Sequence, residues 1–123
     1  MRTGPRELNT LVPVSETTLD PEDNKIITLA RSARARNGAA EGAAVRDETG
    51  RTYSSTNVAL PSLTLSALQV AVAMAVSSGA RSLEAAALVT AGDGPSEADA
   101  RTVRDLGGAT LLVAAPDGTL RQS

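Results

Sequence analysis

The 123-residue chain has no cysteine, histidine, tryptophan or phenylalanine, and Tyr53 is its one aromatic residue. Without cysteine there is no disulfide framework, no thiolate nucleophile and no thiolate ligand for zinc. Without histidine the chain lacks the usual acid–base group at neutral pH and the commonest metal ligand in proteins. These absences exclude most classes of nucleophilic and zinc-dependent enzyme, and they leave carboxylates, hydroxyl groups, Lys25 and the backbone for any chemistry.

Charge and hydropathy argue against nucleic acid or a membrane as a partner. The formal net charge is −2, whereas a domain that binds nucleic acid is expected to carry a clearly basic face. Residues 52–80 include no charged side chain, but Asn57, Pro61 and Gln69 interrupt them, and the continuous apolar part is too short to span a bilayer. The N-terminus lacks the apolar run of a signal peptide. We therefore expect one small cytoplasmic domain.

The N-terminal third of the chain predicts an arm, a helix and a hairpin. Residues 1–20 show no periodicity and are expected to form a flexible arm, so that the folded domain covers 21–123. Asp20 and Pro21 are typical of the start of a helix, and Asn37-Gly38 is typical of its end. Two strand-like runs on either side of DETG then predict a β-hairpin.

The rest of the chain alternates between helices and strands. An alanine-rich helix is predicted from 63 to about 78, followed by a buried strand in SLEAAALVTA, a helix after Pro95 and a buried strand in TLLVAA. Because the first of these helices is apolar on all sides, we expect it to be buried on all sides, against the sheet and against another helix or subunit. Strands joined by crossover helices predict an α/β fold, a three-layer α/β/α sandwich around a mixed sheet.

Four motifs occur in an order that a known family shares. EGAAV at 41–45 is similar to a strand motif V-G-A-A, and GRTYSSTNVA at 50–59 is similar to G-x-x-[FY]-x-G-x-N-x-E. LTLSALQVA at 63–71 resembles a helix opening T-x-C-A-E, and PSEAD at 95–99 resembles a second opening, P-C-x-x-C. Through these motifs residues ~21–121 resemble the small zinc-dependent cytidine deaminase family, which implies a cytidine deaminase-like fold.

The resemblance also implies where a metal site would lie. In the family, one Cys or His and two Cys hold zinc, and a Glu moves protons while zinc-bound hydroxide attacks the base. These roles fall on Ser66, Ser96 and Asp99 for the metal and on Leu68 for the proton. Hydroxyl groups with one carboxylate are poor zinc ligands, and leucine carries no proton. The resemblance therefore implies a degenerate member without catalytic residues, metal or cofactor.

The same positions have a structural interpretation. Ser96 with Asp99 three residues later predicts a capping box at the second helix. In the implied nucleoside pocket, Ala39 and Ala59 replace an aromatic residue and a glutamate, and Asn57 alone is retained as a candidate for nucleoside binding. Asn57 is equally typical of a strand end where asparagine bonds its own backbone. Glu41 stands where the family prefers an apolar residue.

Several functions remain open at this point. The sequence favours a non-catalytic binding or scaffolding module, and the family's tetramers around the first zinc helix imply a homo-oligomer, a dimer or tetramer, with an unidentified protein as a further partner. A second hypothesis is a nucleoside or nucleotide sensor that uses the remaining cleft. A third is an enzyme of altered chemistry that uses Asp93, Glu97 or Asp99, and a fourth is a deaminase-type hydrolase with residual activity.

Overall fold

The computed structural model describes residues 19–121. The arm expected at 1–20 therefore lies outside the described residues, apart from Leu19 and Asp20, which join the domain. The helices and strands of residues 19–121 follow one another in this order: α1 (Pro21–Asn37), β1 (Glu41–Asp47), β2 (Thr52–Thr56), β3 (Val58–Leu60), β4 (Leu63–Leu65), α2 (Ala67–Ser77), β5 (Leu83–Thr90), α3 (Glu97–Asp105) and β6 (Thr110–Ala114). Within that range no helix has the length and apolar character needed to cross a membrane.

The main sheet has the strand order β2-β1-β5-β6. β1 runs antiparallel to both β2 and β5, whereas β5 and β6 are parallel and α3 provides the crossover between them. Along β1, Ala43 and Val45 pack in one core cluster with α2, and Ala44 packs in the other with α1. This alternation places helices on both faces of a mixed sheet and confirms the predicted three-layer sandwich.

Helix α1 begins and ends where the sequence predicts. The Asp20 carboxylate accepts a hydrogen bond from the Glu22 backbone N–H at 2.8 Å, and Pro21 occupies the first helical position. The helix ends at Gly38, which adopts φ 59°, a conformation that favours glycine. The cap residues are local signals, and for this reason they could be interpreted without knowing the tertiary structure.

Gly42 allows α1 to lie directly against the sheet. A Cβ atom at this position would lie 2.0 Å from the carbonyl oxygen of Ala30 and 2.9 Å from the Cβ of Arg34. Real contacts of a Cβ atom are never so short, so any larger residue at 42 would push the helix away from β1. The glycine in EGAAV is therefore a packing requirement of the fold.

The helix predicted from 63 begins later than expected. Residues Leu63–Leu65 form β4, which pairs with β3 in a small separate hairpin, and Ser66 caps α2. The prediction was wrong because this short run is apolar and fits both periodicities, and only pairing with β3 decides between them. Met74 is 39% and Val76 49% exposed in the single chain, so burial of α2 on all sides would require a second subunit, and this part stays a prediction.

The predicted hairpin contains a buried carboxylate that the sequence did not single out. Asp47 is 2% exposed. Its Oδ1 accepts hydrogen bonds from the N–H and hydroxyl of Thr49 (2.9 and 2.7 Å) and the N–H of Arg51 (3.0 Å), and its Oδ2 accepts one from the Tyr53 hydroxyl at 3.0 Å. Burial raises the pKa of Asp47, but these donors outweigh it and hold the pKa below its ordinary value.

Candidate functional site

The N-termini of α2 and α3 meet at one edge of the sheet. Each helix begins at a serine, because Ser66 and Ser96 have extended backbone conformations and their hydroxyl groups accept bonds from N–H groups of the first turn. The Ser66 hydroxyl also donates to Oδ1 of Asp99 at 2.5 Å. The structure thus brings together Ser66, Ser96 and Asp99, the three residues that the motifs assign to the implied metal site.

The capping box expected at α3 is present only in part. The Ser96 hydroxyl accepts from the Asp99 N–H at 3.0 Å, as predicted. The Asp99 carboxylate, however, bonds Ser66 on the other helix, 33 positions away, and Asp99 is 2% exposed. The complete capping box lies at α2, where Ser66 accepts from the Gln69 N–H and the Gln69 side chain accepts from the Ser66 N–H at 3.0 Å. The spacing S-x-x-Q was a sequence signal for it.

Leu68 belongs to the hydrophobic core. It is fully buried, in the cluster that contains Val45, Val72 and Leu88. Its position in the first turn of α2 puts a saturated hydrocarbon where the resemblance implies a proton carrier. A leucine offers no proton to a substrate at any pH.

The donor set at these positions does not fit zinc. Zinc sites use thiolates and imidazoles, supplemented by carboxylates. Here two neutral hydroxyls and one carboxylate meet, and the Ser66 hydroxyl uses its proton on Asp99. Within residues 19–121 there is no group of three His, Cys, Asp or Glu side chains that could hold a metal ion. We therefore assign no chemical step to a metal.

Beside this junction lies an open cleft of about 640 Å³. It is bounded by the C-terminal part of α1, the start of β1, the β3–β4 hairpin, the start of α2 and the end of β5. The lining residues are Arg34, Ala40, Glu41, Asn57, Val58, Ala59, Thr64, Leu65, Ser66, Thr90, Ala91 and Gly92. A volume of this size is in the range of small-molecule sites.

Two side chains of the cleft accept hydrogen bonds from backbone N–H groups. Oδ1 of Asn57 accepts from the Glu41 N–H at 3.0 Å, so Asn57 bonds the neighbouring strand, not its own backbone as one interpretation held. Oε1 of Glu41 accepts from the Ala67 N–H at 3.2 Å. Carboxylates are favoured at helix N-termini, which explains Glu41. No local sequence signal predicts this contact, since 26 positions separate Glu41 from Ala67.

The remaining candidates are less central. Ala59 lies in the cleft wall and Ala39 does not. Neither Asp93 nor Glu97 lines the cleft; both are exposed, and Glu97 forms a surface ion pair of 3.4 Å with Arg101. The proposed carboxylate set of Asp93, Glu97 and Asp99 therefore does not converge on this cleft.

The fold is an α/β/α sandwich in which two helix N-termini meet beside a cleft. The sequence pattern described as cytidine deaminase-like matches residues 19–118, and the chain belongs to this family. The family assignment made from the motifs is thereby confirmed. No match was found among curated protein sequences.

Solved structures agree with this assignment. A cytidine deaminase from Burkholderia pseudomallei is 26% identical, with a TM-score of 0.68 over 79% of this chain and 87% of that one. A cytidine deaminase from Mycobacterium tuberculosis is 28% identical, with a TM-score of 0.64 over 84% and 91%. One from Mycobacterium leprae, at 23% identity over 83% and 93%, shares the fold with a TM-score of 0.64.

Proposed function

We propose that the chain is a non-catalytic member of the cytidine deaminase-like family that acts as a binding or scaffolding module. The observation that supports this proposal most directly is the hydrogen bond from Ser66 to Asp99, which joins positions where the family holds its metal. The fully buried Leu68 supports the same proposal, because it leaves the first turn of α2 without an acid–base group. Without a Lewis acid or a proton carrier, deamination has no visible source of transition-state stabilisation.

A metal analysis combined with an activity assay tests this proposal. The purified full-length chain is incubated with cytidine or deoxycytidine, with and without added zinc, beside a zinc-loaded cytidine deaminase as positive control. We expect no bound zinc after gel filtration and no ammonia release above the protein-free blank. Zinc-dependent turnover by the native chain would refute the proposal and support the alternative of residual deaminase activity.

We propose further that the module is a homo-oligomer, a dimer or tetramer. Four large apolar side chains are exposed on the β3–β4 hairpin and on α2, namely Leu60 (57%), Leu63 (48%), Met74 (39%) and Val76 (49%). Burying such side chains against a second copy is favourable by about 25 cal/mol per Å². Light scattering should therefore give a mass above that of one chain, and Val76→Lys should reduce it. Thr28→Lys, an exposed change on α1, is the matched control.

A nucleoside sensor is the second candidate, and the open cleft with Asn57 in its wall favours it. A thermal-shift titration with cytidine, deoxycytidine, uridine and common nucleotides tests it, because a ligand of the folded state raises the melting temperature with concentration. A dose-dependent rise that Asn57→Ala abolishes would favour the sensor. The absence of any rise would favour the scaffold and direct the search to co-purifying proteins.

The carboxylate enzyme, the cytoplasmic location and the absence of nucleic-acid partners stay predictions. An enzyme that uses carboxylates has the least support, because Asp93 and Glu97 are exposed and lie outside the cleft. If one existed, Glu97→Gln or Asp99→Asn would abolish its turnover while leaving the protein folded. The cytoplasmic location and the absence of nucleic-acid partners are tested by cell fractionation and by nuclease treatment of the purified protein.

A further inference from the structure

A series of hydrogen bonds runs from α2 to α3 through side chains. The Gln69 N–H donates to the Ser66 hydroxyl at 3.1 Å, and that hydroxyl donates to Asp99 at 2.5 Å. The Asp99 N–H in turn donates to the Ser96 hydroxyl at 3.0 Å. The caps of both helices are therefore connected, and the Ser66–Asp99 hydrogen bond is the contact that crosses from α2 to α3.

Asp99 is a buried carboxylate that forms no described ion pair, and its position at two helix N-termini explains how it is stabilised. Among residues 19–121, the ion pairs connect Arg46 with Asp23 and Glu84, and Arg101 with Glu97, and none includes Asp99. Asp99 is the third residue of α3, inside its first turn, and it contacts the cap of α2. Helix N-termini carry partial positive charge, so two of them meeting here favour a carboxylate between them.

We infer that the Ser66–Asp99 hydrogen bond is a metal-free cross-link, which joins the two helix N-termini in the place where the family joins them through its metal. The inference rests on the proposed function to the extent that the native chain binds no zinc. It adds a structural task for these two residues: α3 is held to α2, whose start borders the cleft, by a polar contact with a buried carboxylate at one end.

A double-mutant cycle in thermal unfolding tests the cross-link. Ser66→Ala and Asp99→Ala each remove the bond, and each should lower the melting temperature by about 4–8 °C. Because the two residues share one contact, the double variant should lose clearly less than the sum of the single losses. Asp117→Ala, which removes an exposed hydrogen bond to Thr119 in the turn after β6, is the control. Its loss of melting temperature should add fully to that of Ser66→Ala.

The outcomes of this cycle are distinct from those of the zinc and activity tests. Additive losses for Ser66→Ala and Asp99→Ala would overturn the cross-link while leaving the proposed lack of catalysis intact. A native melting temperature that falls with a chelator and rises with zinc would instead overturn the proposed function. Asp99→Asn keeps the shape of the side chain and one acceptor oxygen, so its melting temperature should fall less than that of Asp99→Ala. An equal or larger loss would contradict the role of Oδ1 as acceptor.

A rebuilt site provides an independent test of the geometry. If residues 66, 96 and 99 keep the spacing of a metal site, the triple variant Ser66→Cys, Ser96→Cys, Asp99→Cys should bind one zinc per chain and melt at lower temperature after chelation. The double variant without the change at Ser96 offers two thiolates and should lose zinc at a lower chelator concentration. A folded triple variant that takes up no zinc would show that the junction no longer has the geometry of a metal site.

Discussion

Two aspartates are equally buried in this domain, and they are held in different ways. Asp47 and Asp99 are both 2% exposed. Asp47 accepts four hydrogen bonds, all from residues within six positions of it in the hairpin. The Asp99 carboxylate accepts one described bond, from a serine 33 positions earlier. One carboxylate is held by its own turn, and the other depends on two helices being in place.

The difference predicts which of the two carboxylates contributes more to the stability of the fold. A buried carboxylate with four donors stabilises its turn, and losing it leaves several donors unpaired. A carboxylate with one long-range donor is a link between elements, and its cost of removal is smaller. The carboxylate at the junction of α2 and α3 therefore accepts fewer hydrogen bonds than the carboxylate of the hairpin.

Removing the hairpin carboxylate should have the largest effect. Asp47→Ala leaves the donors of Thr49, Arg51 and Tyr53 without their acceptor, and we expect the free energy of unfolding to fall by about 3 kcal/mol. Urea denaturation followed by circular dichroism measures it. Asp105→Ala, an exposed change at the end of α3, is the control and should cost under about 0.5 kcal/mol. A cost for Asp47→Ala no greater than for Asp99→Ala would break the comparison.

Acid should weaken the hairpin through the same carboxylate. Because the burial of Asp47 is outweighed by its hydrogen-bond donors, which lower its pKa in the folded chain, its ionised form contributes stability that is complete above the unfolded pKa. That stability is lost as the pH falls below about 3.8 towards the folded pKa. Urea unfolding is measured between about pH 6 and pH 2.5. The free energy of unfolding should fall more steeply with decreasing pH for the native chain than for Asp47→Asn. Equal slopes would show that Asp47 does not titrate with unfolding.

Removing a single donor from each carboxylate sharpens the comparison. Tyr53→Phe leaves Asp47 with three donors and should cost about 0.5–1 kcal/mol. Ser66→Ala removes the described donor to the Asp99 side chain together with the cap of α2, and should cost about 1–2 kcal/mol. Denaturation midpoints at constant slope measure both. The reverse order would mean that the Tyr53 bond matters more to its carboxylate than Ser66 does to Asp99.

The smallest expected effect is at the cleft. Glu41→Gln keeps an acceptor for the Ala67 N–H but removes a negative charge from the N-terminus of α2. We expect a loss of about 0.3–1 kcal/mol, which added salt should reduce because the interaction is electrostatic. Unfolding in low and high salt measures it. A loss that salt leaves unchanged would assign the role of Glu41 to the hydrogen bond alone.

Most of the fold was predictable because its signals are local. The caps of α1, the DETG turn and the apolar run of β5 each depend on residues next to one another, and each was found where the sequence predicted it. The capping signal at Ser96 was also correct for its hydroxyl group. The strand Leu63–Leu65 was missed, because its pairing partner decides its conformation.

The sequence by itself determined the order of the helices and main-sheet strands, though not the β3–β4 hairpin, together with the family and the absence of thiol and imidazole groups. Only the tertiary structure decided which polar contacts form where α2 and α3 begin. The contacts of Ser66 with Asp99 and of Glu41 with Ala67 join residues 33 and 26 positions apart. Such contacts leave no periodicity or cap pattern in the chain. They form because sheet and helix packing brings two helix N-termini to one edge, where their partial positive charge favours carboxylates.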